Sequence, residues 1–593
     1  MTAADATPLT VFSAFAGRDD LQAYGDNGLI LFALQLSLGI DDIHSVAATA
    51  LTDGNNDKKC DLVYVDLDRE RVIVGQAYFT QKNSKEAPAN KASDLNTAVT
   101  WLLKGPLEGL PENLRYAAEE VREAFRADKV REFDIWYCHN LPESTNVRTE
   151  LDQVAHTAKA LISSEFPNAR TTSISASEIG QARLEEYYLR TRNPISVTET
   201  FRIPIQGGFE ASGEKWHSFC TSVQGAWLRD LWKKHESDLM SPNVRDYLGI
   251  VRSERNINYG IKNTARDMPE NFWVYNNGLT ILVNSFSHQE PASPGDTAHL
   301  EISGMGIING AQTTGSIGTL GEAEAERLGD TWIMARFVKC DDPDVLADIV
   351  KYNNTQNKVE ASDFRSKDAV QDRLRKEFET IPDSDYRGGR RGGTKDAIER
   401  SRNLLPDSTV AQALAAFHGK PNIAYNDTRR IWDEDGVYAQ FYNEKTTARH
   451  VVFTYSLLRA VESAKLEISQ IPDDQRTAAQ ARHMSYFRQR GAIHLMVSAV
   501  AECLETIIGS AIPDRFSLHF SDNVGPKAAE EIWKPIVASC LPFAHQLTDA
   551  VSGGLKSADR VASAITNFQA MVEATAASNE DSYAEFARKV KYS

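Results

Sequence analysis

Two runs of β-branched and aromatic residues near the start of the chain constrain its fold more than any other feature. They occupy residues 61–66 and 71–79 and are separated by only four residues, 67–70. Such side chains favour a pleated strand, and so short a connection makes the two strands an antiparallel hairpin. Helical periods lie around this hairpin at about 28–38, 95–103, 112–126 and 150–165, and a buried strand is predicted at 133–138. Residues 1–200 are therefore predicted to form a mixed α/β domain.

The rest of the chain changes character at about residue 400. Residues 201–400 mix strand and helix signals, and two apolar runs at 272–275 and 279–283 flank an Asn-Asn-Gly turn. This turn predicts a second hairpin, because Asn and Gly accept positive φ. A helix is predicted from an N-cap at Ser366 to Phe378, and the helical period dominates beyond residue 400. We predict an α/β (α+β) protein with domains at 1–200, 201–400 and 401–593, the last mainly helical.

The charge of the chain limits how it can meet nucleic acid. The net charge is −17 over 593 residues, so binding to nucleic acid requires a local basic patch. Between Arg387 and Arg402, six basic residues stand against two acidic ones, among four glycines. Arg390 and Arg391, at the centre of this loop, are predicted to contact backbone phosphates. The alternative is a flexible loop whose charges are only solvated.

The chain lacks the marks of a membrane or secreted protein. No stretch approaches the roughly 20 apolar residues of a membrane span, and residues 1–5 do not begin a secretory signal. Six cysteines lie far apart without a CxxC pair, which favours reduced thiols over a disulfide framework. We therefore expect a cytoplasmic protein without membrane contact.

Acidic and amide side chains gather at the first hairpin. Asp57 and Asp61 precede its first strand, and Gln76 and Tyr78 lie near the end of its second. Residues two apart on a strand share a face, so Gln76 and Tyr78 are predicted to point together toward Asp61. The pattern resembles the PD-(D/E)xK core of Mrr-like restriction endonucleases. This resemblance implies an endonuclease in which Asp61, Gln76 and Asp57 hold Mg²⁺ or Mn²⁺.

The resemblance departs from the nuclease pattern at Tyr78, which stands where a lysine belongs. Tyrosine is neutral at pH 7 and cannot supply that positive charge. Lys82 has the same parity but lies about 13 Å further along the strand, so it reaches the site only if the chain turns after Phe79. Tyr78 and Lys82 are the catalytic candidates beside Asp61 and Gln76. Gln35 also replaces a first-helix Glu. A degenerate binding fold and a plain hairpin remain alternatives.

Three clusters of Asn and Gln lie within about ninety residues in the middle of the chain. Their side chains donate and accept hydrogen bonds without charge, so a shared pocket could read a base edge or hold phosphate oxygens beside an arginine. Each cluster by itself also fits an ordinary turn or helix cap. We predict that they meet in one nucleic-acid or ligand pocket, lined by Asn277, Asn309, Gln312, Arg336, Asn354, Gln356, Asn357 and Arg365.

The order and spacing of the motifs in this region resemble the abortive infection phage resistance (AIPR) family. The stretches that carry the resemblance are 256–264, 272–278, 308–314, 335–337, 353–359, 363–368 and 386–391. The resemblance implies a phage-defence protein. Its predicted partners are DNA or RNA, a phage-derived trigger and further copies of itself.

Three functional hypotheses follow. In the first, the hairpin is a metal-dependent nuclease and the AIPR region senses or grips the target. In the second, the nuclease fold is degenerate, and the protein is a sensor that binds nucleic acid or a phage component and acts through partners. In the third, the helical region assembles an oligomeric scaffold. Tyr78 favours the second hypothesis, whereas Asp57, Asp61 and Gln76 favour the first, which we adopt.

Overall fold

The computed structural model describes residues 10–40, 42–52, 58–67, 69–82, 84–192, 195, 197–235, 239–240, 255–289, 297–342, 345–346, 349–350, 353, 365, 368–388 and 403–592. Within these residues, helices surround a four-stranded and a seven-stranded sheet and form most of the C-terminal region. The predicted mixed α/β class, with a helical C-terminal region, is confirmed.

The N-terminal unit is a four-stranded sheet with helices on both faces. Its strands lie in the order β1 (Leu62–Asp66), β2 (Arg71–Tyr78), β3 (Glu132–His139) and β4 (Ser173–Ile179). β1 and β2 are antiparallel, which confirms the first predicted hairpin, whereas β2, β3 and β4 are parallel to one another. Parallel neighbours need helical crossovers. The helices are α1 (Thr10–Ala16), α2 (Asp19–Gln22), α3 (Asn27–Leu38), α4 (Ile43–Ala50), α5 (Ala89–Leu103), α6 (Glu112–Arg126), α7 (Thr145–Glu165) and α8 (Gln181–Arg192).

Alternate residues of β2 enter two different hydrophobic cores. Val72 and Val74 pack in the core that α5, α6 and α7 build on one face of the sheet. Ile73 and Ala77 pack in the core that α3 builds on the other face. Because successive side chains of a strand point to opposite faces, Gln76 lies on the α5 face with Val72 and Val74.

The middle unit is a seven-stranded mixed sheet. Its path is β5-β10-β8-β11-β7-β6, and β9 also pairs with β10. The strands are β5 (Val197–Ile205), β6 (Gly208–Ser212), β7 (Trp216–Gln224), β8 (Leu279–Leu282), β9 (Ser285–Gln289), β10 (Ala298–Asn309) and β11 (Trp332–Cys340). The helices of this region are α9 (Gly225–His235), α10 (Arg255–Asp267), α11 (Phe272–Tyr275) and α12 (Ala311–Gly318).

The second predicted hairpin, at 272–283, is wrong. Its first half is the one-turn helix α11, and only its second half is a strand, which pairs with β10 and β11 instead. Asn276 Oδ1 accepts a hydrogen bond from Gly278 N at 2.9 Å, which closes a turn between helix and strand. Gly278 has φ +78°, and a Cβ there would lie 2.5 Å from Met334 O. The Asn-Gly signal therefore marks a helix-to-strand turn.

The C-terminal unit is helical around one large core. The segment α13 (Ala369–Phe378), counted above in the 201–400 domain, packs in this core through Leu374 and Phe378. Its N-cap is Asp368, which accepts from Val370 N, while Ser366 lies outside the described residues. The further helices are α14 (Asp407–Phe417), α15 (Pro421–Asn426), α16 (Thr428–Asp433), α17 (Asp435–Phe441), α18 (Ala448–Ser469), α19 (Ala478–Phe487), α20 (Ala492–Glu502), α21 (Leu504–Ile508), α22 (Pro526–Cys540), α23 (Thr548–Ser552), α24 (Ala558–Ala574) and α25 (Glu580–Lys589).

Two minor sheets complete the C-terminal unit. β12 (Asp385–Tyr386) pairs with β13 (Leu404–Leu405) in parallel, and β14 (His519–Phe520) pairs with β15 (Val590–Lys591) in the antiparallel sense. Among the helices that the structure describes, none is both long and apolar enough to cross a membrane.

A buried ion-pair network joins the N-terminal and C-terminal units. Arg459 of α18 binds Asp42, the N-cap of α4, at 2.6 Å and Glu462 at 2.6 Å. Burial acts to raise the pKa of Asp42, but Arg459 and the Thr409 hydroxyl outweigh it and hold this pKa well below its usual range. Burial raises the pKa of Glu462, and Arg459 opposes this effect. Further hydrogen bonds link the same two units, from Lys465 to Ala48, from Arg490 to Thr49 and from Ser485 to Glu112.

Candidate functional site

The structure brings Asp61 and Gln76 together at the open end of the first hairpin. Leu62 pairs with Gly75, and Asp61 comes directly before Leu62, where this ladder ends. Asp61 N donates to Gly75 O at 2.9 Å, and Asp61 Oδ2 accepts from Ala77 N at 2.7 Å. The second bond fixes the orientation of the carboxylate. Gln76 lies on the α5 face, and the bond from Ala77 N holds the Asp61 carboxylate at the residue that follows Gln76. Asp57 lies outside the described residues.

Gln76 is a buried amide whose carbonyl oxygen is not satisfied. The residue is 5% exposed, and its Oε1 has no hydrogen-bond partner among the described residues. A buried acceptor left without a partner costs about 1–3 kcal/mol, so an unpaired one in a native fold calls for an explanation. A ligand that binds between Asp61 and Gln76 would supply the missing partner.

The same face carries a row of polar residues from the parallel strands that the motif pattern did not reveal. Gln76 aligns with Tyr137 on β3, and Tyr137 aligns with Glu178 on β4. Burial raises the pKa of the Tyr137 hydroxyl well above its usual value, and this hydroxyl donates to Pro88 O at 3.4 Å. Glu178 accepts from His139 Nε2 at 3.0 Å and from Ser144 N at 3.1 Å, so it anchors the start of α7. The alternation of the strand at 133–138 would have placed Tyr137 on this face.

Tyr78 occupies the strand position at which the nuclease pattern has a lysine. Tyr78 is the last residue of β2, and Asn140 holds the chain beyond it through Thr80, with bonds of 3.1 and 2.7 Å. The chain does turn after Phe79, but Lys82 lies in the following bend with an exposed side chain. A different lysine is close to Tyr78: the Nζ of Lys91, on α5, lies 4.9 Å from the centroid of the Tyr78 ring.

Two further features of the N-terminal unit bear on a metal site. Gln35 is buried on α3, where its Oε1 accepts from Arg18 at 2.7 Å and its Nε2 donates to Ile40 O at 3.2 Å. It is therefore engaged within the fold. In the described part of the chain, no group of three or more His, Cys, Asp and Glu side chains could hold a metal ion. Among the predicted ligands that the structure describes, the oxygen donors at the hairpin are the Asp61 carboxylate and the Gln76 amide.

In the middle sheet, polar residues of three neighbouring strands form a continuous row. Thr280 of β8 pairs with Asn309 of β10 on one side and with Arg336 of β11 on the other. Arg336 donates to Thr280 Oγ1 at 3.0 Å and to Asn353 Oδ1 at 2.7 Å. Asn309 Nδ2 donates to Asn353 O at 2.9 Å. We call Asn309, Thr280, Arg336 and Asn353 the amide row. Thr280 and Asn353 were missed as site residues, although Asn353 begins one of the amide motifs.

Two turns pack together at the end of the amide row. Asn276 Nδ2 donates to Thr313 Oγ1 at 2.9 Å, which links the turn before β8 to the first turn of α12. Gly310 connects β10 to α12 with φ +100°, and a Cβ there would lie 3.0 Å from Gly278 O. Gln312 is half-buried in the first turn of α12, and Asn277 is exposed beside Asn276. Both predicted residues therefore lie at the turns that border the row.

The remaining predicted residues are not placed in the row. Arg365 packs against the helical unit, where its Nε donates to Trp432 O at 3.1 Å and its guanidinium lies 4.4 Å from the Tyr438 ring centroid. In the basic loop, Arg387 pairs with Asp385 at 3.1 Å. Five predicted residues lie outside the described part of the chain: Asn354, Gln356, Asn357, Arg390 and Arg391.

The amide row lies in a segment of the chain that matches a known protein family. Residues 240–534 match the AIPR protein family. We call this matching segment the AIPR region, and the match supports a role in phage defence. It includes the amide row and continues past residue 400 into the helical unit, further than the motifs alone indicated, and it leaves out the N-terminal sheet. No curated protein and no solved structure matches this chain.

The middle sheet also exposes aromatic side chains on the face that carries Arg336. Arg336 pairs across the sheet with Cys220, and Cys220 pairs with Phe209, which is 66% exposed. Trp273 of α11 is 46% exposed, and its indole N–H donates to Ser222 Oγ at 3.0 Å. Burial raises the pKa of the Cys220 thiol, while the nearby Arg336 charge acts in the opposite direction. This face of the sheet therefore combines one guanidinium, several amides and exposed rings.

Proposed function

We propose that this chain is a metal-dependent nuclease of phage defence, in which the N-terminal hairpin cuts nucleic acid and the AIPR region binds it. One observation carries the proposal: the buried Oε1 of Gln76 has no partner in the described chain, and the Asp61 carboxylate is bound to the next residue, at Ala77 N. Groups held in this way are typical of sites that a ligand completes. The family match supports the phage-defence setting.

The donors at the hairpin fit Mg²⁺ or Mn²⁺. Mg²⁺ binds oxygen ligands and commonly uses one or two carboxylates together with waters and substrate phosphates. Asp61 would contribute one carboxylate oxygen, and Gln76 would contribute its amide oxygen. A bound ion would lower the pKa of a coordinated water and neutralise charge on the phosphate. Because Asp61 is the one predicted carboxylate ligand among the described residues, we expect the nucleic-acid phosphate to contribute to tight metal binding.

The AIPR region supplies features suited to a flexible nucleic-acid strand. Arg336 is exposed, yet its guanidinium is held in place by Thr280 and Asn353. An arginine held in this way loses little freedom when it binds a phosphate or stacks on a base. Trp273 of this region and Phe209, on β6 of the same sheet, offer exposed rings on which bases could stack, as in proteins that bind single strands. The amides of the row could contact base edges.

A second candidate function is a sensor that binds nucleic acid without cutting it. The observation that favours it is Tyr78, which is neutral where the nuclease pattern has a lysine. In this case the N-terminal sheet would serve only for binding or for contact with a partner protein.

The deciding experiment is a cleavage assay with the purified full chain. Double-stranded DNA, single-stranded DNA and RNA are each incubated with Mg²⁺, with Mn²⁺ or with EDTA. We expect cleavage of at least one substrate with Mg²⁺ or Mn²⁺ and none with EDTA. Binding of a substrate without cleavage under every metal condition would favour the sensor instead.

Replacing Gln76 with Met should abolish cleavage and at the same time stabilise the protein. Met has a similar shape and removes the unpaired buried oxygen, so the free energy of unfolding should rise by about 1 kcal/mol. Cleavage rates and urea unfolding are measured on the same preparation. Gln76→Glu is the matched control and should cut at a lower metal concentration than the wild type. A Gln76→Met variant that is less stable than the wild type would show that Gln76 serves the fold.

Replacing Arg336 with Ala should weaken nucleic-acid binding. Loss of one phosphate contact should reduce affinity by roughly 10-fold and lower the salt slope by about 1. The measurement is fluorescence anisotropy with a labelled strand at several salt concentrations, in EDTA to prevent cleavage. Lys339→Ala is the matched control, because Lys339 lies on the same strand and is paired with Asp341 at 3.1 Å. If the two changes weaken binding equally, Arg336 contributes only its charge and not a specific contact.

A further inference from the structure

We propose that Lys91, in the first turn of α5, supplies the positive charge that Tyr78 cannot. The cation that faces the scissile phosphate would then come from a helix, and Tyr78 would be the surface on which it rests. This inference rests on the proposed nuclease function, because it assigns a further residue to the same site.

The position of Lys91 relative to the hairpin is the first observation. Its Nζ lies 4.9 Å from the centroid of the Tyr78 ring. Tyr78 is two residues after Gln76 on the same face of β2, a separation of roughly 7 Å along a strand. The ammonium group therefore lies beside the last residue of β2, two residues beyond Gln76. An extended lysine side chain can cover such a distance by rotation about its four carbon–carbon bonds.

The start of α5 is fixed over the same part of the sheet. Tyr137, the neighbour of Gln76 on β3, donates from its hydroxyl to Pro88 O at 3.4 Å. Lys91 N in turn donates to Pro88 O at 3.1 Å. Ala92, the next residue, is fully buried in the core below α5. The backbone of Lys91 is thus held in place, while its side chain keeps the freedom to meet a substrate.

The absence of a competing carboxylate is the second observation. Lys91 is half-buried and has no ion-pair partner within the described residues. Lys59, by contrast, is paired with Asp94 at 3.6 Å, and Lys58 lies over the Trp101 ring at 5.0 Å. A partly buried ammonium without a counter-charge is unfavourable, and a phosphate bound at the hairpin would relieve this cost. Among these three lysines, Lys91 is the one directed at Tyr78.

The chemistry defines what Lys91 would do. In the cut, a water oxygen forms a bond to phosphorus, and the bond between phosphorus and one ester oxygen breaks. The attacking water loses a proton to solvent, and the departing oxygen gains one. Negative charge grows on the phosphate oxygens meanwhile, and the Lys91 ammonium would donate a hydrogen bond to one of them without losing a proton. Such a donor acts most strongly when charge develops, so its removal should lower kcat more than it raises KM.

The test moves the positive charge between two positions. Lys91→Met should reduce kcat by about 100-fold or more, with a smaller change in KM. The double variant Tyr78→Lys with Lys91→Met, which returns a lysine to the strand, should recover at least about a tenth of the wild-type rate. Lys91→Arg keeps the charge and should retain more activity than Lys91→Met. Lys59→Met is the matched control and should cut as the wild type does.

The outcomes separate this inference from the proposed function. If Lys91→Met keeps the wild-type kcat while Asp61→Asn is inactive, the role of Lys91 is overturned and the nuclease assignment stands. If the double variant remains as inactive as a folded Lys91→Met protein, charge at this site is not what Lys91 provides, which also overturns the inference. The thermal midpoint of each variant shows whether it is folded. If Lys91→Met does not fold, Lys91→Arg is the test instead. A folded Lys91→Arg protein without any activity would overturn the charge role of Lys91. A wild-type protein that cuts no substrate overturns both.

Discussion

Asp61→Asn is expected to abolish cleavage and phage protection while leaving the protein folded. Asn retains an oxygen that can accept from Ala77 N, so the backbone bond of 2.7 Å is preserved, but the negative charge is lost. Loss of the Asp61 carboxylate should reduce cleavage by at least about 100-fold, since outer-shell changes alone cost about 10–100-fold at metal sites. A plaque assay and a cleavage assay measure the two effects.

Asp66→Asn is the matched control for this change. Asp66 lies at the other end of β1, where it accepts from the Tyr64 hydroxyl at 2.9 Å and from Arg69 N at 2.8 Å. It should keep both protection and cleavage. Asp61→Ala is a harsher companion that should cost about 1–2 kcal/mol of stability by leaving Ala77 N without its acceptor. Full phage protection by the Asp61→Asn variant would show that the active site is not at this hairpin.

Arg459→Met should lower the free energy of unfolding by about 3–5 kcal/mol, which is a large part of the stability of an ordinary protein. The change leaves Asp42 and Glu462 buried without the cation that both of them contact at 2.6 Å. Burial by itself penalises a charged carboxylate, so the attraction to Arg459 offsets the cost of burying Asp42 and Glu462. Urea unfolding, followed by circular dichroism and by tryptophan fluorescence, measures the effect.

A surface ion pair provides the comparison for Arg459. Arg429 and Asp433 form an exposed pair at 2.8 Å, four residues apart on one helix. Arg429→Met should change stability by no more than about 0.5 kcal/mol, because solvent screens such pairs. Adding Asp42→Asn and Glu462→Gln to Arg459→Met should recover part of the loss. If Arg459→Met and Arg429→Met have equal effects, the buried network does not hold the two units together.

The two hairpin predictions show which parts of the fold local sequence determines. The hairpin at 61–79 forms because strand propensity, turn length and the two flanking cores all favour the same arrangement. At 272–283 the turn residues are equally clear, but the strand β8 pairs in parallel with β11, where Leu279 aligns with Ala335. A partner so distant in sequence is selected by tertiary packing. The same Asn-Gly turn then serves to end a helix.

The candidate sites divide in the same way. Strand alternation was enough to place Gln76 and Tyr78 on one face of β2, because their spacing follows the period of two. Lys91 and Asn353 lie outside the strands whose residues they contact. The periodicity of a single strand or helix does not predict such contacts. Arg365 shows the converse, because its position among the amide motifs suggested a pocket, whereas tertiary packing places it on the Tyr438 ring.

The ion-pair network between α4 and α18 has a consequence for how the protein is made. Asp42 and Arg459 are 417 residues apart in the chain. A ribosome adds about 5–20 residues per second, so roughly 20–80 s pass between the synthesis of the two partners. During that interval the hairpin with Asp61 and Gln76 has already been synthesised, while Asp42, the N-cap of α4, has not yet met Arg459. The newborn N-terminal sheet therefore stays undocked until most of the polypeptide has been translated.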